Sequence, residues 1–206
     1  MTGVSDFLLL DTFLPGGKAA LTLTDDVTLN LTHGSAGYSR AFNDPAPGGV
    51  MIEMSLWLSD AIHAAKIFVG DVGASHSSSG WELRLSHSAL EILRISNSAS
   101  SKPAKRIVGT VPATMLASGL PVGAWNLLRL MLLPAECASS RPRETMSVFL
   151  NPTAHATNPT LGKVKPRMVM TEDTTRSGVG RRELSITPPA AGQGYFMVDY
   201  VSVLPA

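Results

Sequence analysis

The sequence predicts an all-β fold, a two-sheet antiparallel β-sandwich with little helix, built as a single domain over residues 1–206. Three observations carry this. Apolar residues recur at every second position in short stretches, most cleanly at Val50, Ile52, Met54, Leu56 and Leu58, which is the period of a strand with one buried face. Turn chemistry separates the stretches, as at Pro15–Gly17, Asn43–Gly49 and Pro188–Pro189. No long stretch has helical periodicity, and ten or more short strands between Gly, Pro and Ser turns make a sandwich or barrel. A length of 206 residues suits one such domain. No internal repeat or composition break marks a second.

In chain order, Phe7–Phe13 is the first predicted strand. Leu21, Leu23, Val27, Leu29 and Leu31 keep period two but are broken at Asp25 and Asp26, which reads as strand, turn, strand. Val50–Leu58 follows, with Glu53 and Trp57 on the face opposite its core residues. Asp60–Ala65 is a short helical turn or loop, and Lys66–Val72 a strand. Gly73–Gly80 is a loop. Trp81–Leu85 and Leu90–Ile95 form a hairpin around Ser86–Ser88, with a phase shift between Ile92 and Leu93 that predicts a bulge. Asn97–Lys105 is a polar loop, and Ile107–Val111 a short strand ended by Pro112.

Trp125–Leu133 is the organising strand. Only Asn126 and Arg129 interrupt its apolar run, and such a run fits a central strand covered on both faces. Its core face is Leu128, Leu130 and Leu132. The other face, Trp125, Leu127, Arg129, Met131 and Leu133, is too apolar to be left in water, and Arg129 there needs a carboxylate or carbonyl partner. Pro134 is expected to stop the strand, with loop to Glu144. Met146–Leu150 is a strand ended by Asn151 and Pro152. Thr153–Thr175 is irregular, with scattered Pro and Thr, apart from an apolar patch at Met168–Met170. Arg182–Ile186 and Tyr195–Val203 are the last two strands. In the latter, Phe196, Val198 and Tyr200 share one face, and Met197, Asp199 and Val201 the other.

Composition narrows the function. Charged residues make up 16%, against roughly 25% in typical domains, so the surface is largely Ser, Thr, Asn, Gly and Ala. Such a surface suits contact with proteins or glycans. The net charge is +1. Basic residues gather only locally, as at Lys102, Lys105 and Arg106, which argues against nucleic acid as a partner. The single cysteine, Cys137, excludes an intrachain disulfide framework and a Cys-based zinc site. No run approaches ~18 apolar residues, so no membrane partner is expected. Val4–Leu10 is too short and polar for a secretory leader.

Several segments resemble the laminin-G / concanavalin A-like jelly-roll domains found in phage virion and glycan-binding proteins. They are Asp11–Phe13, Gly123–Trp125 followed by Leu128–Leu130, Ser147–Pro152, and Gly194–Val203. The resemblance implies that the last strand returns beside the first. It leaves function open, because the fold hosts glucanases, lectins, adhesion modules and virion proteins. Laminarinase-type enzymes of this family carry Glu-x-Asp-x-x-Glu on one strand. The counterpart here is Glu53, whose same-face companions Ser55 and Trp57 cannot serve as acid or nucleophile. Asp25, Asp26 and Asp71 do not reproduce a lectin calcium cluster.

Candidate sites are few. Trp57 with Glu53 is the best ligand platform: sugar faces stack on indole while a carboxylate accepts hydroxyl hydrogen bonds. The competing reading packs Trp57 under a loop or against another subunit, and is the commoner fate of a strand Trp. Trp125, Arg129 and Met131 are interface candidates. Trp81 is read as core, and Trp125 as core or core edge. The five histidines, His33, His63, His76, His87 and His155, have no metal-ligand spacing. No Gly-x-Ser-x-Gly elbow is present. Asn30–Thr32 is a glycosylation sequon, relevant only in a eukaryotic secretory setting. The expectation is a non-enzymatic structural or adhesive protein without catalytic residue, metal or cofactor. Its leading form is a phage virion surface component, capsid decoration or tail, acting through contacts with other subunits. The loops Gly73–Gly80, Asn97–Lys105 and Pro152–Thr175 would carry those contacts. The opening Leu8–Phe13, the poor charge and the missing leader motivate that choice. The alternative is an extracellular lectin-like module using the Trp57 face; a glycan hydrolase comes third.

Overall fold

The computed structural model describes residues 9–14, 18–23, 29–31, 38–43, 49–60, 62, 65–71, 79–96, 104–135, 142–151, 165–174, 181–187, 189, 194 and 196–206. Val50–Leu58 alternates buried and half-buried along its whole length, as its period-two pattern dictates. It is β5, preceded by β1 (Leu9–Leu14), β2 (Lys18–Leu23), β3 (Leu29–Leu31) and β4 (Tyr38–Asn43). There follow β6 (Ala65–Asp71), β7 (Gly80–Leu85), β8 (Ala89–Ser96), β9 (Ala104–Pro112), the helix α1 (Ala113–Gly119), β10 (Trp125–Ala135), β11 (Arg143–Leu150), β12 (Met168–Asp173), β13 (Arg181–Thr187) and β14 (Phe196–Pro205).

These strands form two six-stranded antiparallel sheets. The first has the order β12-β11-β10-β5-β14-β3, the second β4-β13-β6-β7-β8-β9; β1 and β2 pair as a separate hairpin. The chain is thus an all-β sandwich. As expected, Trp125–Leu133 lies centrally in the first sheet, between β5 and β11. The last strand does not pair with the first as expected: β14 pairs with β3 and β5, while β1 pairs with β2.

The core fills the space between the sheets. From the first come Val50, Ile52, Met54, Leu56, Leu128, Leu130, Leu132, Met146 and Val148; from the second Ile67, Val69, Trp81, Leu83, Leu85, Leu90, Ile92, Leu184 and Ile186. Each fully buried aliphatic side chain among them contributes roughly 1.5–3 kcal/mol relative to exposure. On the outer face of the second sheet, Gly70 and Gly80 stand opposite each other, and a Cβ on either would strike the facing backbone and the Phe68 ring. The glycine pair makes room for that ring to lie against the sheet.

Several boundaries differ from expectation, each for a local reason. β10 runs through Pro134 to Ala135. Its pairing with β5 ends at Leu132, so Pro134 faces a strand on one side only and its missing N–H breaks no ladder bond there. β9 begins at Ala104, inside the expected polar loop, and α1 is not foreshadowed in the sequence; seven residues are too few to show a helical period. The patch at Met168–Met170 extends to a full edge strand, β12. The expected irregularity at Ile92/Leu93 is present, but between β8 and β9, where Val108 is the extra residue; β7 and β8 pair without interruption. In β14 a bulge between Val198 and Val201 inserts one residue. Val201 therefore shares the core face with Val198 instead of pointing away from it.

Candidate functional site

The outer face of the first sheet carries the residues singled out from sequence. β5 and β10 pair so that Trp57 is directly opposite Trp125, Ser55 opposite Leu127, and Glu53 opposite Arg129. Side chains alternate faces along a strand, so these six share one surface. Trp125 is 47% exposed, which places it on the surface and not in the core or at its edge. Trp57 is half-buried, flanked on its other side by Met197 of β14. Glu53 and Arg129 form an ion pair: Arg129 Nε donates to Glu53 Oε2 at 2.8 Å, and its terminal nitrogen lies 2.6 Å from the same oxygen. The partner that Arg129 requires is thus the other predicted polar residue of the face. Arg129 and Met131 are 8% and 6% exposed within the single chain, so of the three interface candidates Trp125 presents most surface.

Two consequences follow for chemistry. Glu53 has Arg129 on one side and Ser202 of β14 on the other. Neither residue directly opposite Glu53 is a carboxylate, so the strand register itself sets no carboxylate pair of the kind that glycoside cleavage uses beside it. Trp57 and Glu53 are four residues apart, about 13 Å along a strand, too far for one sugar ring to touch both.

Local hydrogen bonds fix the start of β10. Asn126 is buried and donates through Nδ2 to the carbonyls of Pro121 and Ala124, both at 2.8 Å. Asn151 lies at φ 43°, a left-handed conformation that Asn tolerates better than most residues. Its Nδ2 donates to Asn126 Oδ1 at 2.9 Å, and its Oδ1 accepts the Leu127 N–H at 2.6 Å. The Gly123 N–H donates to the Leu58 carbonyl. The turn that presents Trp125 is therefore held by side chains from two strand ends.

Between the sheets, at the end where β6 and β8 finish and β7 and β11 begin, lies a polar cluster that sequence reasoning missed. Trp81 is fully buried, and its Nε1–H donates to Glu144 Oε2 at 2.7 Å. A terminal nitrogen of Arg182 donates to Glu144 Oε1 at 2.6 Å. The Arg94 guanidinium lies over the Trp81 ring, 5.1 Å from its centroid. Burial pushes Arg94 below the ordinary arginine range, while the charges of Glu144, Asp71 and Glu172 oppose that shift. The signal was available: Glu144, Arg94 and Arg182 each fall at the same parity as the core residues of their strands. On the outer face of the second sheet, Glu82 accepts from Arg84 and Lys105. Burial alone would raise its carboxyl, but those two hydrogen bonds and charges hold it below the usual carboxylate range.

The opposite end of the sandwich is apolar. A cavity of about 310 Å³ opens there, lined by Leu58, Leu85, Leu120, Pro121 and Val122, with Asp60, Ser86 and His87 among its polar groups. His87 is exposed, and its Nδ1 lies 3.3 Å from the Ile62 carbonyl. Met115 and Val122, both exposed, lie on the same stretch of chain as Trp125. Cys137, the other four histidines, Asp25 and Asp26, and most of the three contact loops named above lie outside the described residues. Among the described residues, no group of three His, Cys, Asp or Glu side chains is placed to hold a metal ion, and no helix is long and apolar enough to cross a membrane.

No protein-family model and no curated protein matches the chain. Solved structures similar to it include a legume lectin-like domain from Entamoeba histolytica, 10% identical over 90% of this chain and 87% of that one, with a TM-score of 0.49. Another is the exoplasmic/lumenal domain of VIP36 in its Ca2+/Man3GlcNAc-bound form, 10% identical over 96% and 87%, TM-score 0.48. A third is a PL-14 alginate lyase from Aplysia kurodai, 9% identical over 91% and 83%, TM-score 0.47. Function has to be argued from the site.

Proposed function

We propose that the chain is a non-catalytic glycan-binding module whose recognition surface is the Trp57–Trp125 face. The carrying observation is the cross-strand pairing of two indoles, one of them 47% exposed, on a sheet face that also presents Ser55, Ser202 and the Glu53–Arg129 pair. An indole face offers apolar area against the C–H face of a pyranose without demanding a polar partner inside the protein. The surrounding hydroxyls and the ion pair supply donors and acceptors for sugar hydroxyls. Because Glu53 is about 13 Å from Trp57 along the strand, the surface suits an oligosaccharide laid along β5 and β10 better than a single sugar. The Asn126–Asn151 network favours binding by holding the Trp125 turn in place before the ligand arrives.

The test is a glycan array with wild type, Trp125→Ala and Trp57→Ala. Loss of an oligosaccharide signal by at least tenfold in Trp125→Ala, with folding intact, supports the reading. A wild type that binds no glycan, or a signal untouched by both substitutions, removes it.

A second reading, a structural component of a larger assembly such as a virion surface, is favoured by different observations. The chain is poor in charge, and Met115, Val122 and Trp125 are exposed close together in sequence. Exposed Trp and Met are common anchors of protein contacts. On this reading Trp125→Ala weakens assembly and leaves the glycan array blank.

A further inference from the structure

The described surface contains two features that fit each other, neither of which the glycan reading uses. The first is the 310 Å³ cavity at the apolar end of the sandwich. Its walls are aliphatic, and its charged group is Asp60, which is exposed and has no ion-pair partner among the described residues. The second lies on β12, an edge strand of the first sheet. Val169 is 55% exposed there, the most exposed large apolar side chain among the described residues. Lys165 and Arg167, four and two positions before it, are exposed, and their charged side chains have no hydrogen-bond or ion-pair partner among those residues. An apolar knob flanked by unpaired cations and an apolar cavity with an unpaired carboxylate are complementary in shape and in charge.

We infer that the cavity is a self-association site, in which Val169 and the aliphatic stem of Arg167 from a second copy of this chain seat against Leu58, Leu120 and Val122 while the Arg167 guanidinium reaches Asp60. The cavity is larger than a valine side chain needs, and the arginine stem covers the remaining apolar wall. Basic residues beside an edge strand also discourage strand-to-strand pairing, so the contact is made by side chains and not by extension of the sheet. Knob and cavity lie on different parts of the molecule. Copies therefore close as a two-fold dimer if both contacts form reciprocally, and grow head to tail if they do not.

The experiment is sedimentation equilibrium of the whole chain over a wide concentration range. It compares wild type with Val169→Glu, Asp60→Lys and Arg167→Glu, and with an equimolar mixture of the last two. All three positions are exposed, and near-ultraviolet circular dichroism confirms that each variant is folded. The expected result is reversible association of wild type, at least tenfold weaker in each variant. In the mixture, association recovers to within about threefold of wild type, because the exchanged charges attract again across the same contact. A wild type that is monomeric throughout overturns the inference, as does association unchanged by Val169→Glu and Asp60→Lys. Failure of the mixture to recover overturns the Asp60–Arg167 pairing.

Discussion

Glu144 offers the sharpest test of how the sandwich is held at its polar end. Its side chain and that of Arg182 are each 6% exposed, and the pair is joined at 2.6 Å across the space between the sheets. Its other oxygen accepts from the buried Trp81 indole. Removing the carboxylate by Glu144→Met leaves Arg182 charged and buried, and deprives Arg94 of the strongest charge that opposes its desolvation. Breaking a buried pair by deleting one member costs roughly 3–5 kcal/mol, a large part of the ~5–15 kcal/mol available to a domain. With about 2–4 °C of midpoint lost per kcal/mol at this chain length, thermal unfolding should shift down by about 6–20 °C. Urea unfolding of Glu144→Met, Arg182→Met and the double variant completes a cycle. The double variant should be less destabilised than the sum of the singles by at least ~1 kcal/mol, because it removes both charges together. Arg143→Ala is the internal control. Its pair with Asp173 spans 3.4 Å at 42% and 61% exposure, and such pairs are worth ~0–1 kcal/mol. A loss below ~1 kcal/mol in Glu144→Met, or singles that add without coupling, would refute the reasoning.

Two further outcomes follow from other parts of the molecule. Asn151→Ala loses both side-chain bonds of the β10 turn and must still hold a left-handed backbone. It should cost about 1–3 kcal/mol in urea unfolding, whereas Asn151→Gly, which relieves the backbone, should cost less; equal losses would remove the backbone part of this account. Glu82 is held below its ordinary range by Lys105 and Arg84 despite burial. A depressed folded-state carboxylate stabilises above its unfolded value, and that contribution disappears as pH falls through the folded value. Unfolding free energy measured from neutral pH into strong acid should therefore show wild type above Glu82→Gln at neutral pH and converging with it in acid, and parallel curves would sink the assignment.

The fold is legible in the sequence where period two meets a solvated second face. Val50–Leu58 shows both, and its expected boundaries match the observed strand. Trp125–Leu133 is harder because both faces are apolar, yet parity still places Leu128, Leu130 and Leu132 inward. Proline misleads at residue 134, because its effect on a ladder depends on whether a neighbouring strand is there to receive the bond, which is a tertiary fact. The β14 bulge is hidden for a similar reason: one inserted residue moves Val201 to the core face without changing local composition. At the site, sequence places Glu53 and Trp57 on one face and Arg129 in need of a partner. It does not supply the register that joins Glu53 to Arg129 and Trp57 to Trp125, since register lives in pairing between strands far apart in the chain. The buried Glu144–Arg182 pair is written in parity, but charged residues near strand ends are more often solvated, and only the opposing sheet shows that these are not.

The two ends of the sandwich divide the scarce charge between them, and this division shapes where the molecule can act. Where β7 and β11 begin, Glu144, Arg94 and Arg182 are drawn between the sheets, and Arg106 on β9 bridges to Glu172 on β12 across the seam of the two edge strands. Glu144, Arg94 and Arg182 are buried and do not solvate the surface. At the other end, α1 and the turn after it present Met115, Val122 and Trp125 around an aliphatic cavity with little charge nearby. A chain with only 16% charged residues that places several of them inside leaves apolar surface outside, part of it at this end and on the adjoining indole face and part on the edge strands, at Val169 of β12 and Ile107 of β9. The same scarcity of charge that makes the composition bland therefore locates both proposed contacts, the glycan face on β5 and β10 and the self-association cavity beside it.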